Sequence, residues 1–135
     1  DMVRRGNRGL SQYQNVGIHT SVTEADPHRL VQLLFENVIS NIYKAKGAMQ
    51  NGEIALKGEA ISQTIAIVAT LRSTLNFEQG GELAERLDAL YDYIIRRLMS
   101  ANKENDVAIL EECVELIRPI KEGWDQTPQQ LKKGQ

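Results

Sequence analysis

Residues 26–52, DPHRLVQLLFENVISNIYKAKGAMQNG, decide the fold. Asp26 can accept from the free amides at a helix start, and Pro27 suits the first helical position because its missing N–H is not needed there. Leu30, Leu34, Val38, Ile42, Ala45 and Met49 then recur at steps of three or four, the spacing of one helix face. Asn51-Gly52 closes the run, since glycine takes the left-handed conformation common just past a helix end. This stretch reads as a helix of about 24 residues, ~36 Å long at 1.5 Å per residue.

Three further stripes follow it. Ile54, Ile61, Ile65, Val68, Leu71 and Leu75 make the second, with Gly58 weakening its first turns. Asn76 to Gly81 is expected as a polar connection, with Gly80-Gly81 as the breaker. The third stripe is Leu83, Leu87, Leu90, Ile94 and Leu98; Asn102 to Asp106 makes the next turn, with Asn105 or Asp106 as its cap. The fourth is Leu110, Val114, Ile117 and Trp124, flanked by Ile109, Cys113, Leu116 and Ile120. Pro119 lies inside it and should kink the helix or end its regular part. Four amphipathic helices joined by short loops predict an all-α, antiparallel up-down four-helix bundle. The domain should span 10–126, with a short N-terminal segment packed on the bundle. Residues 1–9 are expected to be a disordered tail and 127–135 a flexible one.

Composition narrows the function. The 135 residues fit one domain, and 41% hydrophobic with 25% charged residues is a globular balance. Aromatic residues are only 5%, so Leu, Ile, Val and Ala must fill the core. A net charge of −2 lacks the basic excess that neutralises phosphates, which argues against a nucleic-acid partner. The single cysteine, Cys113, cannot form an internal disulfide and reads as a small buried hydrophobe. No stretch approaches the ~20 apolar residues of a bilayer span, and the opening residues lack an apolar signal core, so a cytosolic protein without membrane insertion is expected.

Catalytic chemistry is missing from the pattern. The two histidines, His19 and His28, precede the body of the first long helix, and neither completes the Glu-x-x-His pair of a di-iron bundle. His28, at a helix start, reads as an exposed surface residue. No phosphate-cradling glycine loop or nucleophile elbow occurs, so the chain reads as a non-enzyme with no cofactor and no metal.

Apolar surface, by contrast, is in surplus. A bundle helix needs about three core positions per heptad. The first helix adds Val31, Leu33, Phe35 and Ile39, the second Ala66 and Ile67, and the third Tyr91, Tyr93, Ile95 and Met99. Such a face must be covered. Either residues 10–22 fold back over it, or it makes a dimer, or it is a groove for a partner helix read at i, i+3 and i+4. These readings are compatible, with Leu10, Tyr13, Val16 and Ile18 as a displaceable cap. Ile67, Tyr91, Tyr93, Ile95 and Met99 are the groove candidates, because they stand off the core stripes. A self-associating bundle with a structural or adaptor role is the alternative function.

Several runs then resemble the flagellar secretion chaperone (FliS) family: Asp26-Pro27-His28-Arg29-Leu30, Lys57-Gly58-Glu59-Ala60, Gly80-Gly81-Glu82-Leu83-Ala84, Leu90-Tyr91-Asp92-Tyr93-Ile94-Ile95-Arg96-Arg97-Leu98, Ala101-Asn102, and Trp124 near the end. The likeness runs from about Leu10 to Trp124. It implies a four-helix bundle without enzymatic activity that binds the C-terminal helical segment of new flagellin in the cytosol, prevents its polymerisation and delivers it to the flagellar export apparatus. Some members are linked to an export-gate component and an anti-sigma regulator. Tyr13, within Leu10-Ser11-Gln12-Tyr13, matches the family's N-terminal tyrosine segment near the client site. Pro119 and the Arg-rich start depart from the family pattern. The free chain is expected to be a monomer or weak dimer.

Overall fold

The computed structural model describes residues 26–127; the expected cap residues Leu10, Tyr13, Val16 and Ile18, the expected 1–9 tail and, apart from Thr127, the expected 127–135 tail lie outside the described residues. Four helices fill the described chain: α1 (Pro27–Gln50), α2 (Ile54–Ser73), α3 (Phe77–Glu104) and α4 (Val107–Asp125), with no strand among the described residues. Each packs on its sequence neighbours and α4 closes back on α1, giving the up-down antiparallel bundle. The start of α1, the α2–α3 connection and the end of α4 share one end of the bundle; the α1–α2 and α3–α4 turns share the other.

Capping sets the boundaries. Asp26 accepts from the His28 and Arg29 amides at 3.0 and 3.3 Å, with Pro27 in the first turn. Asp106 caps α4 through the Ala108 amide, while Asn105, at φ 56°, ends α3 in the left-handed conformation. The two candidates for that turn thus share the work.

Two connections differ from expectation. Asn76–Gly81 is not a loop: Asn76 caps a helical turn that begins at Phe77, and only Gly81 leaves the helical region, at φ 51° and ψ −125°. Pro119 does not end α4, which runs on to Asp125. The carbonyl that Pro119 leaves without its usual donor belongs to Glu115, an exposed residue that water can reach. Beyond the proline, Ile120 and Trp124 pack against the core and hold the last turn in place.

Gly81 makes a simple prediction. A Cβ built there meets no atom within 4 Å, so any penalty must come from the backbone. Gly81→Ala should therefore destabilise by about 1–3 kcal/mol. Gly123→Ala, equally free of clashes inside α4, should be neutral or slightly stabilising. Urea midpoints that fall together for both would refute this account.

The core joins Val38 and Ile42 of α1, Ile67, Val68 and Leu71 of α2, Ile94 and Leu98 of α3, and Leu110 and Ile117 of α4. In α2 the buried stripe is Lys57, Ala60, Ile61, Thr64, Ile67, Val68 and Leu71, so two polar residues sit on it and disguise its phase. Thr64 is tolerated there because its hydroxyl donates to the Ala60 carbonyl at 2.8 Å. In α3 the stripe is Ala84, Tyr91, Ile94, Leu98 and Ala101, and Leu83 stands outside it, 64% exposed. Contrary to expectation, α2 is long and apolar enough to cross a membrane by composition alone; its buried Ile61, Ile67, Val68 and Leu71 place that apolarity in the bundle core.

Candidate functional site: apolar crevices on a helical frame

The predicted groove residues do not form one surface. Ile67 is fully buried and Tyr91 nearly so, both inside the core cluster. Contrary to expectation, both lie on the buried stripes of their helices. The Tyr91 hydroxyl pKa is pushed up to about 12 by burial. Tyr93 is half-buried on the α4 side of α3, where its hydroxyl donates to Glu112 at 2.6 Å. Ile95 packs partly against the core, and Met99 is 56% exposed. These two lie on the α2 side of α3, away from Tyr93.

Their setting follows from the register of α2 against α3. Arg72 grips Asp88 at 2.6 Å and Asp92 at 3.3 Å near one end. Near the other, the Lys57 ammonium donates to the Asn102 carbonyl and the Asn105 side chain, both at 3.1 Å. Antiparallel pairing between these clamps sets Ile65 level with Ile95, with Met99 one turn further along. Ile65 is also only partly covered. Gly58, Ser62 and Ala69, all small, share the face of α2 that carries Ile65. The result is a short, partly exposed apolar strip, Ile65 and Ile95 with Met99 one turn on, lying between the two polar clamps.

Electrostatics hold this frame. The Arg72 guanidinium holds the Asp88 carboxyl below its ordinary range. Across α3 and α4, Glu112 is lowered first by the Tyr93 hydroxyl and then by Arg97, whose Nε donates at 2.8 Å. A carboxyl whose pKa is depressed on folding contributes stability above its unfolded pKa and loses it as pH falls through the folded value. The melting temperature should therefore drop on acidification below about pH 5, the upper edge of carboxylate titration. Glu112→Gln should shallow that drop while lowering the neutral-pH value slightly. Parallel melting curves across pH for the two proteins would contradict the assignment.

Further exposed apolar side chains lie elsewhere. Tyr43 is 49% exposed in a shallow α1–α4 groove of about 390 Å³, with Ile39 beside it and Arg118 donating to its hydroxyl. Ile54 is 75% exposed at the α1–α2 turn; Phe77 and Leu83 flank the Gly81 break. Sequence reasoning placed Ile54 and Leu83 on core stripes and Phe77 in a loop, so it missed all three as surface. The surplus is also smaller than expected, since Leu33 and Phe35 are core. Burial raises the Cys113 thiol to about 12, which keeps it protonated.

His28 corrects the surface reading. It is 7% exposed, and its ring stacks on Trp124 with centroids 4.9 Å apart. Its Nε2 hydrogen-bonds the Trp124 carbonyl at 2.8 Å, and the indole N–H donates to the His28 carbonyl at 3.0 Å. The pair latches the end of α4 to the start of α1. Among the described residues no group of three His, Cys, Asp or Glu side chains is placed to hold a metal ion.

Comparison with known proteins agrees with the frame. Residues 9–131 match the family described as Flagellar protein FliS. The chain is 44% identical over 118 residues to the flagellar secretion chaperone FliSB of Pseudomonas aeruginosa, covering 87% of this chain and 94% of that protein. It is 40% identical to the flagellar secretion chaperone FliS of Vibrio cholerae over 88% of each chain. Its likeness to that of Salmonella typhimurium is also 40%, over 87% of this chain and 88% of the relative.

Proposed function

This chain belongs to the FliS family of flagellar proteins, and from that premise we propose that it is a cytosolic, non-enzymatic export chaperone whose client is the C-terminal helical segment of flagellin. The observation that carries the reading to a place on the molecule is the accessible strip of Ile65, Ile95 and Met99 between the Arg72 and Lys57 clamps. A client helix laid there covers its own apolar face with the chaperone's. One chaperone satisfies one client face and leaves no second copy of that face to propagate a filament. The client is thereby kept from polymerising until it is handed to the export apparatus.

Release without a nucleotide is natural in this scheme. A segment that orders only on binding spends part of the interaction energy on that ordering, so its affinity stays moderate. Leu10, Tyr13, Val16 and Ile18 complete the proposal as a cap that shields the strip until the client arrives. Tyr93, pinned to Glu112, belongs to the frame beside the strip and not to its floor.

Calorimetric titration with a peptide of the flagellin C-terminus, run at several temperatures, tests the reading. Binding with a clearly negative heat-capacity change is expected, since apolar surface leaves water. No heat at any temperature, or a permanent dimer by light scattering that excludes the peptide, would overturn it in favour of self-association.

A further inference from the structure

Lys57 is a buried cation whose hydrogen bonds among the described residues all go to neutral atoms. It is 8% exposed, and its ammonium donates to the Asn102 carbonyl and the Asn105 side-chain oxygen. An ammonium carries three donors, so one remains beyond these two. Among the described residues no carboxylate pairs with it. Burying a charge without a counter-charge is unfavourable, and the partial negative end of α3 offsets only part of that.

The surroundings suit a specific ligand. Lys57 lines a hollow of about 280 Å³ between the α1–α2 and α3–α4 turns, with Met49 and Ile54 as apolar wall and Asn105 as polar rim. Ile54, 75% exposed, is the most exposed large apolar side chain among the described residues. Glu53 lines the same hollow, is exposed, and makes no ion pair among the described residues. The hollow lies where α3 ends and α2 begins, so a segment laid along the α2–α3 face past Met99 leaves the helices there.

From this geometry we infer that the Lys57 hollow receives the α-carboxylate of the client's chain end, with the client's last side chains resting on Ile54 and Met49. The inference builds on the client reading above and adds polarity to it: the client lies with its C-terminus at the α1–α2 turn. A chain end is favoured over an internal acidic side chain because α2 begins at Ile54 and α3 ends at Glu104, so the face between these two helices goes no further than the hollow. Glu53 opposes the incoming carboxylate and sets its affinity.

Two flagellin C-terminal peptides, identical except for a free carboxylate or a carboxamide end, test this by calorimetry on the intact protein. On the unmodified chain, amidation should weaken binding about tenfold, the lower edge for losing a charge-assisted hydrogen bond. Lys57→Gln should bind both peptides alike, and Glu53→Gln should tighten the carboxylate peptide without changing the amide. A merely structural Lys57 would shift both peptides together. Equal affinity of acid and amide on the unmodified chain overturns the inference and leaves the client reading standing. Failure of both peptides to bind overturns both. If Lys57→Gln does not fold by circular dichroism, the acid–amide comparison on the unmodified and Glu53→Gln proteins decides alone.

Discussion

Leu98→Ala should destabilise the protein by about 2–5 kcal/mol, the usual range for a leucine truncated inside a packed core. Leu98 is fully buried at the centre of the bundle, in the same core cluster as residues from each of the four helices. The lost methyl groups forfeit transfer energy, and the surrounding helices cannot collapse fully on the space they leave. Against a typical total of about 5–15 kcal/mol, that removes a large share of the stability. For a domain near 100 residues the melting temperature should drop by roughly 10 °C or more. Thermal and urea unfolding measure both quantities. A loss under about 1 kcal/mol would mean that Leu98 packs loosely, contrary to its burial.

The next residue should answer in the opposite way. Met99 is 56% exposed beside Ile95 and Ile65, so Met99→Asp removes little native packing. Its melting temperature should stay within a few degrees of the parent, as for surface changes of about 0.5 kcal/mol. Binding of the flagellin peptide should weaken by about 2 kcal/mol or more, close to thirtyfold, because a carboxylate would then be desolvated against an apolar client face. Ile95→Ala should show a mixture of both losses, since Ile95 is partly covered by the core. Full-strength peptide binding by Met99→Asp would remove the α2–α3 strip as the client site while leaving the family assignment intact. Measured together, positions 98 and 99 separate what holds the bundle from what the bundle holds.

Legibility in the sequence differed from helix to helix for physical reasons. In α1 the apolar stripe is nearly uninterrupted, and its cap, opening proline and closing glycine are local signals, so its limits were readable to the residue. In α2 the stripe passes through Lys57 and Thr64, and a reading that skips polar residues slips to Ile54 and Ile65 instead. That slip is what put Ile67 among the groove candidates. In α3 the helix restarts after Gly81 and its core phase falls one residue later than Leu83, which brings Tyr91 inward. Pro119 was readable as a helix breaker by its own chemistry, yet the packing of Ile120 and Trp124 carries α4 past it.

The sequence by itself determined the four helices of the described residues, nearly all of their ends, their up-down order and the absence of familiar catalytic motifs. Those properties depend on periodicity, capping and turn chemistry, which act over a few residues. Only the tertiary structure decided which apolar side chains stay outside, that His28 and Trp124 latch across 96 residues of chain, and that Lys57 is buried with no ion pair among the described residues. Each of these depends on how far a helix is rotated about its axis against its neighbours. A rotation of one residue's step, about 100°, exchanges core for surface, and in α2 and α3 local spacing did not fix that angle.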